Sequence, residues 1–190
     1  MILSDAAILS AMESGSIQIK PFYPHCLGCN SYDVHLSPHM AMYTSPSIDA
    51  AIDNAVETFT IPPEGFELMP GTLYLASTAE YTETHGFVPF LEGKSSGGRL
   101  GLSIHSTAGR GDSGFVGAWT LELSVVQPLI VHRYMPIGQL IFHTIQGEVL
   151  VPYNKKPSAH YNGKSLPVAS KMYDGIAKDP MVADYRAGLL

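Results

Sequence analysis

Three stretches of the 190-residue chain carry residue types suited to chemistry rather than packing. The first is EGKSSGGRLGL (92–102), where Lys94, Ser95, Ser96 and Arg99 stand among Gly93, Gly97, Gly98 and Gly101. Glycine permits positive φ and close backbone approach, so successive N–H groups of such a loop converge on an anion while the side chains add donors. A solvated β-turn has the same composition, and the stretch alone leaves both readings open. It is not a Walker-type phosphate loop, because the G-x-x-x-x-G-K-[ST] spacing is missing and apolar GLSI follows where a helix is required. The expectation is a loop entering a strand.

The second stretch, HSTAGRGDSGFVGAWTLEL (105–123), sets Asp112 among glycines and then Glu122 inside an apolar strand. Alternation puts Trp119, Leu121 and Leu123 on one face and Thr120, Glu122 and Ser124 on the other. Glu122 therefore faces either solvent or a cavity shared with Thr120. On a cavity wall, a carboxylate among apolar residues has the character of a proton shuttle near neutral pH.

The third is the tail, KKPSAHYNGKSLPVASKMYDG (155–175), polar and broken by Pro and Gly, with four cations and two tyrosines. It reads either as a disordered end or as a flap that orders over a ligand. The only cysteines, Cys26 and Cys29, lie in PHCLGC. Zinc-dependent base deaminases carry a P-C-x-x-C element, but they need an upstream H-x-E and none precedes Cys26, so a reduced, metal-free pair is expected.

The elements that position these residues are mostly strands. After SDAAILSAMESG (4–15), a short helix with Ser4 as cap, Ala7, Ile8 and Met12 on one face and Gly15 at its end, come SIQIKPF, SYDVHL, ETFTI, FELM, TLYLAST, GLSIHS, AWTLELSV, LIVHRY, QLIFHTI and EVLVPY. Many punctuated strands at close spacing mean an all-β barrel or sandwich. The acidic, alanine-rich stretch 45–60 is either helix or loop. Length and a 45% hydrophobic content fit one domain over 1–190, with about 155–190 as tail.

Net charge is −6, which argues against nucleic-acid and membrane-surface partners, since both need a cationic footprint. Charge is uneven: 1–93 holds Lys20 against eleven carboxylates, and 94–190 holds ten cations against six carboxylates, so a bound anion belongs to the second half. No apolar run reaches a membrane span and the N-terminus lacks the features of a signal peptide, so a cytoplasmic protein is expected.

Taken together, the ordered set MILSD, SYDVHL, GKSSGGRLGL, HSTAGRGDSGFVGAWTLEL, MPIGQLIF, PYNKK and a Y-x-x-K-like tail resembles the dCTP deaminase branch of the trimeric dUTPase superfamily across nearly the whole chain. The resemblance implies a distorted jelly-roll-like β-barrel with a short N-terminal helix, assembled as a homotrimer with active sites between subunits. By it, Lys94, Ser95, Ser96 and Arg99, with Gly97 and Gly98, sit at the phosphate and catalytic end. Asp112 holds the deoxyribose 3′-hydroxyl, and the backbone around Thr120 and Leu121 reads the base. His105 and Ala108 belong to the stretch lining the base pocket, His105 equally readable as a packed strand histidine. Glu122 is the general base, assisted by Ser95 and Arg99. Tyr153 and the tail, with His160 and Lys164, close over the phosphates. The implied cofactor is Mg²⁺ on the nucleotide's phosphates, with no catalytic zinc.

This chain departs from the family pattern at three places. Gly97 replaces the leucine of S-S-L-G-R, which implies a more mobile loop or a closer approach. His160 and Lys164 replace a lysine and a glutamine of the tail, which leaves a monophosphate or a modified cytosine nucleotide as alternative substrates. Gly109 resembles members that also convert dUTP to dUMP, whereas Arg110 resembles those that only deaminate. The main expectation is deamination of dCTP to dUTP and ammonia, with a bifunctional enzyme giving dUMP as the alternative. A dUTPase alone lacks its glycine-rich, arginine-bearing terminus in MVADYRAGLL, and a non-catalytic nucleotide-binding regulator is the third reading.

Overall fold

The computed structural model describes residues 1–189. Helix α1 (Asp5–Glu13) starts where expected: the Ser4 hydroxyl accepts the Ala7 N–H at 3.4 Å, Ile8 and Ala11 are buried, and Gly15 leaves the helix at φ 76°. Twelve strands follow: β1 (Ile17–Lys20), β2 (Tyr32–Tyr43), β3 (Val56–Thr60), β4 (Phe66–Leu68), β5 (Tyr74–Thr78), β6 (Tyr81–Thr84), β7 (Phe87–Gly93), β8 (Leu102–Ser103), β9 (Val116–Gly117), β10 (Thr120–Val125), β11 (Leu129–Val131) and β12 (Pro136–Thr144). Three more short helices, α2 (Ser95–Arg99), α3 (Met172–Lys178) and α4 (Pro180–Arg186), lie between β7 and β8 and in the tail.

The main sheet runs β7-β12-β2-β5-β10-β8, with β3 added to β2, and two smaller sheets, β1-β6-β9 and β11-β4, complete a nearly closed barrel. Strand β2 belongs to both halves of the wall. A register shift between Leu36 and Met40 lets its first part pair with β12 and its second with β3 and β5, as a bulge does when a strand must bend. Inside, Ile17, Tyr32, Leu36, Leu121, Leu123, Leu140 and Phe142 are fully buried in one apolar cluster. Each aliphatic side chain so enclosed contributes roughly 1.5–3 kcal/mol.

Three strands were not evident from the pattern, β6, β7 and β9, and one expected strand is absent. In β6 the buried positions are Thr82 and Thr84, so apolar alternation is missing; Thr82 Oγ1 instead accepts the Trp119 indole N–H at 3.0 Å. In EVLVPY the apolar side chains find no partner strand: Val149, Leu150 and Val151 are exposed and Tyr153–Lys155 is a 3-10 turn. Residues 45–55 form a loop closed by Asn54, which accepts the Asp49 N–H at 3.0 Å and donates to the Asp49 carbonyl at 2.7 Å; β3 follows.

The tail is ordered along the barrel. Gly163 N–H donates to the Val116 carbonyl (2.6 Å) and Ala118 N–H to the Lys164 carbonyl (2.7 Å), extending the sheet at β9 before the chain turns into α3 and α4.

Candidate active site

The alternation of β10 decides the question left by Glu122. Leu121 and Leu123 fill the core, and Thr120 and Glu122 face the other way, onto a cavity of about 520 Å³. Glu122 Oε2 accepts the Ser106 N–H at 2.8 Å, while its own N–H donates to the Ile104 carbonyl at 2.9 Å. One carboxylate oxygen is thus fixed, and Oε1 has no hydrogen-bond partner among the described residues. Leu75, directly across from Glu122 on β5, supplies an apolar neighbour on the same wall.

The loop that carries Ser106 is held by close packing. The Gly109 carbonyl accepts the Leu91 N–H (2.6 Å), and Gly111 N–H donates to the Pro89 carbonyl (2.8 Å), so the loop lies beside β7. A Cβ at Gly109 would stand 2.5 Å from Leu91 O, and one at Gly111 would stand 2.5 Å from the Trp119 ring. Both glycines therefore have a packing reason.

Ala108, Asp112, Thr120 and Tyr153 line the cavity beside Glu122, as expected. Asp112 opens the turn that ends with the Phe115 N–H on its carbonyl (3.0 Å). Gly114 in that turn has φ 89°, and a Cβ there would be 2.9 Å from the Tyr153 nitrogen, so turn and Tyr153 are packed back to back. Burial, and next to it the Asp112 charge, raise the Tyr153 phenol above its usual pKa, against the lowering effect of the Tyr161 N–H that it accepts. The phenol stays protonated at neutral pH and remains a donor. Leu121 contributes only backbone here, paired with Ala76.

Three sets of expected residues stand outside the cavity lining of their own chain. The 92–102 stretch is neither an open cradle nor a plain strand-entry loop: 95–99 close into α2, with Gly98 N–H on the Lys94 carbonyl (3.0 Å) and the Arg99 guanidinium on the Ser95 carbonyl (3.0 Å). Gly97 and Gly98 do not use positive φ, and a Cβ at Gly97 would touch Leu102 at an ordinary 3.7 Å. Lys94, Ser95, Ser96, Gly97, Gly98 and Arg99 are not among the cavity's lining, and Lys94 is paired with Asp33. Second, His105 is packed beneath the loop against Gly109, and its Nδ1 is buried with no partner among the described residues. Third, His160 and Lys164 line a neighbouring groove with Asp53, outside the cavity; His160 lies 3.5 Å from Asp174.

The pattern missed several cavity residues. Trp119 lines the cavity although alternation placed it with Leu121, because the regular strand begins only at Thr120. Tyr43, at the end of β2, accepts the Ser170 N–H at 3.1 Å, and Thr120 Oγ1 accepts the Val168 N–H at 3.2 Å. Tyr161, Val168 and Ser170 of the tail thereby become a wall of the cavity. No spacing rule singles out Tyr43. Cys26 is buried and Cys29 exposed; burial raises the Cys26 thiol above its usual pKa.

The barrel has a counterpart among solved structures. A crystal structure of 2′-deoxycytidine 5′-triphosphate deaminase from Agrobacterium tumefaciens superposes with a TM-score of 0.61 at 18% identity, covering 78% of this chain and 49% of that one. The dCTP deaminase-like family model matches residues 2–145. A dUMP-forming dCTP deaminase of Leptospira biflexa serovar Patoc is 46% identical over 149 residues, 78% of this chain and 85% of the relative. One of Clostridium botulinum strain Eklund 17B is 42% identical over 178 residues, 94% of this chain and all of the relative. The chain belongs to the dCTP deaminase-like family.

Proposed function

We propose that the protein hydrolyses the exocyclic amine of dCTP, giving dUTP and ammonia, with Glu122 as the acid and base. The observation that carries this is the half-fixed Glu122 carboxylate, facing a nucleoside-sized cavity in a chain of this family. Deamination needs a water activated at C4, a proton on N3 and a proton on the leaving amine. A single carboxylate supplies all three transfers in turn: it takes a proton from the attacking water, delivers it to N3, takes the second proton of that oxygen and hands it to the departing nitrogen. In this reading the chemical step uses no metal. Ser106 N–H keeps Oε2 in place throughout.

Ser95 and Arg99 position the water and stabilise developing charge in this scheme. Their place on α2, outside the cavity of their own chain, supports a homotrimer in which one subunit lends α2 to its neighbour's cavity. Asp112 receives the 3′-hydroxyl, the backbone at Thr120 and Leu121 reads the base, Ala108 allows its approach, and Tyr153 and the tail cover the phosphates. In this reading Mg²⁺ is carried on those phosphates. No helix of the described residues is long and apolar enough to cross a membrane, and a cytoplasmic site of action is part of the proposal.

A second step is favoured by the names of both relatives, dUMP-forming deaminases. The dUTP formed is then hydrolysed to dUMP and pyrophosphate in the same site. Incubation with dCTP, dCMP, 5-methyl-dCTP and dUTP in the presence of Mg²⁺, with chromatographic resolution of products, tests the whole reading. Ammonia with dUMP and pyrophosphate from dCTP is expected; nucleotide binding without product over long incubation would instead identify a regulator.

A further inference from the structure

Asp33, on β2, has no part in the scheme above, yet it meets Lys94, which the family resemblance puts at the phosphate end. The register of β12 sets Asp33 opposite Gln139 on one side and Gly93 opposite Gly138 on the other, so β12 lies between Asp33 and Lys94. The Lys94 side chain crosses it to place Nζ on Asp33 Oδ2. The two side chains are 24% and 31% exposed, which sets the pair apart from a fully solvated surface contact.

The surroundings give this pair more to do than an isolated ion pair. Lys94 is the N-cap residue of α2, and α2 buries none of its residues. Gly97 and Gly98 offer the barrel no side chain, and Arg99 spends its hydrogen bond inside the turn, on Ser95. Among the described residues, Lys94 to Asp33 is the one side-chain hydrogen bond that leaves the segment 94–99.

We propose that Asp33 is a positioning residue: it anchors Lys94, and through Lys94 it fixes the turn that carries Ser95 and Arg99. This rests on the reading of 94–99 as the substrate-facing set of a deaminase. An ammonium has three donors, so one on Asp33 leaves two for a phosphate, on a side chain whose freedom is already restricted. The Asp33 charge also repels an incoming polyphosphate, and this second effect has the opposite sign. The Asp33→Asn variant separates them, because it keeps the shape and an acceptor oxygen while removing the charge. If anchoring dominates, kcat/KM for dCTP falls; if repulsion dominates, it rises.

The test uses the full chain as Asp33→Asn, Asp33→Ala, Asp33→Glu, Lys94→Ala and the Asp33→Ala/Lys94→Ala pair, assayed with dCTP and Mg²⁺ and by amide hydrogen exchange over 94–101. Asp33→Ala is expected to lower kcat/KM about tenfold alone, to add no further loss in the Lys94→Ala background, and to speed exchange at 95–101 about tenfold without changing the barrel. Asp33→Glu is expected to recover part of the loss. Multiplicative losses in the double variant, a rise in kcat/KM with Asp33→Asn, or unchanged exchange at 95–101 would each overturn the proposal. Should wild-type protein release no ammonia from dCTP, the deaminase reading fails, and the exchange measurement alone then decides whether Asp33 holds the turn.

Discussion

The β10 wall and the α2 turn carry the two halves of one expected catalytic set, and the fold treats them in opposite ways. Glu122 sits on a strand whose other face is locked into the core by Leu121 and Leu123, and a neighbouring backbone N–H holds its carboxylate. Ser95 and Arg99 sit on five residues that bury nothing, rich in glycine, tied outward through Lys94. One half is built into the chain's own core and the other is left on its surface. On the proposed reading, that difference is what a site shared between subunits requires.

The sharpest way to test that contrast is at Glu122. Glu122→Gln keeps the size and the Ser106 contact but removes the proton shuttle; ammonia release is expected to fall about 10³- to 10⁴-fold with nucleotide binding, measured by calorimetry, largely retained. Full activity in that variant would sink the assignment.

Next comes Arg99→Ala, with an expected loss of about 10²- to 10³-fold in kcat. Its more telling use is in mixture. Co-refolded Glu122→Gln and Arg99→Ala chains are expected to recover roughly a quarter of wild-type activity, because random assembly pairs intact halves at that frequency across a heterologous interface. No recovery would mean that each chain completes its own site, and the contrast between the regions would lose its meaning.

Smaller effects separate packed glycines from free ones. Gly111→Ala drives a methyl into the Trp119 ring and is expected to cost about 1–3 kcal/mol, seen as a lowered Tm in calorimetry. Gly97→Leu meets only an ordinary contact with Leu102 and restores a better helix former, so stability should change by less than about 0.5 kcal/mol. A large destabilisation at Gly97 would show that α2 is packed in a way its open surroundings do not reveal.

Much of the barrel was readable because most strands alternate. The N-terminal helix and the face assignments of Thr120, Leu121, Glu122 and Leu123 follow directly from period and capping. What failed did so for identifiable reasons. Strand β6 turns threonines inward and satisfies Thr82 through Trp119, so hydrophobic period is silent there. EVLVPY has the composition of a strand but pairs with no other strand among the described residues, and composition cannot report the absence of a partner. The site was legible in its types and only partly in its geometry: Glu122, Asp112 and Tyr153 converge, whereas the glycines of 92–102 looked like a cradle and instead close a helical turn. Tyr43 meets the tail at Ser170, 127 positions on, and Thr120 meets Val168 across 48, separations that no local pattern encodes.

Four hydrogen bonds shape the tail over the cavity, three reaching residues before it and one inside it, and they share one chemistry. Backbone N–H groups of Tyr161, Val168, Ser170 and Lys171 donate to the hydroxyls of Tyr153, Thr120, Tyr43 and Tyr161, at 3.3, 3.2, 3.1 and 2.9 Å. Neutral bonds of this kind contribute about 0.5–1.5 kcal/mol each, and breaking one strands no charge in an apolar place. The β9 pairing at 163–164 and the Lys171–Asp53 ion pair at 3.6 Å hold the tail as well, so lifting the cover breaks mostly uncharged bonds and an ion pair.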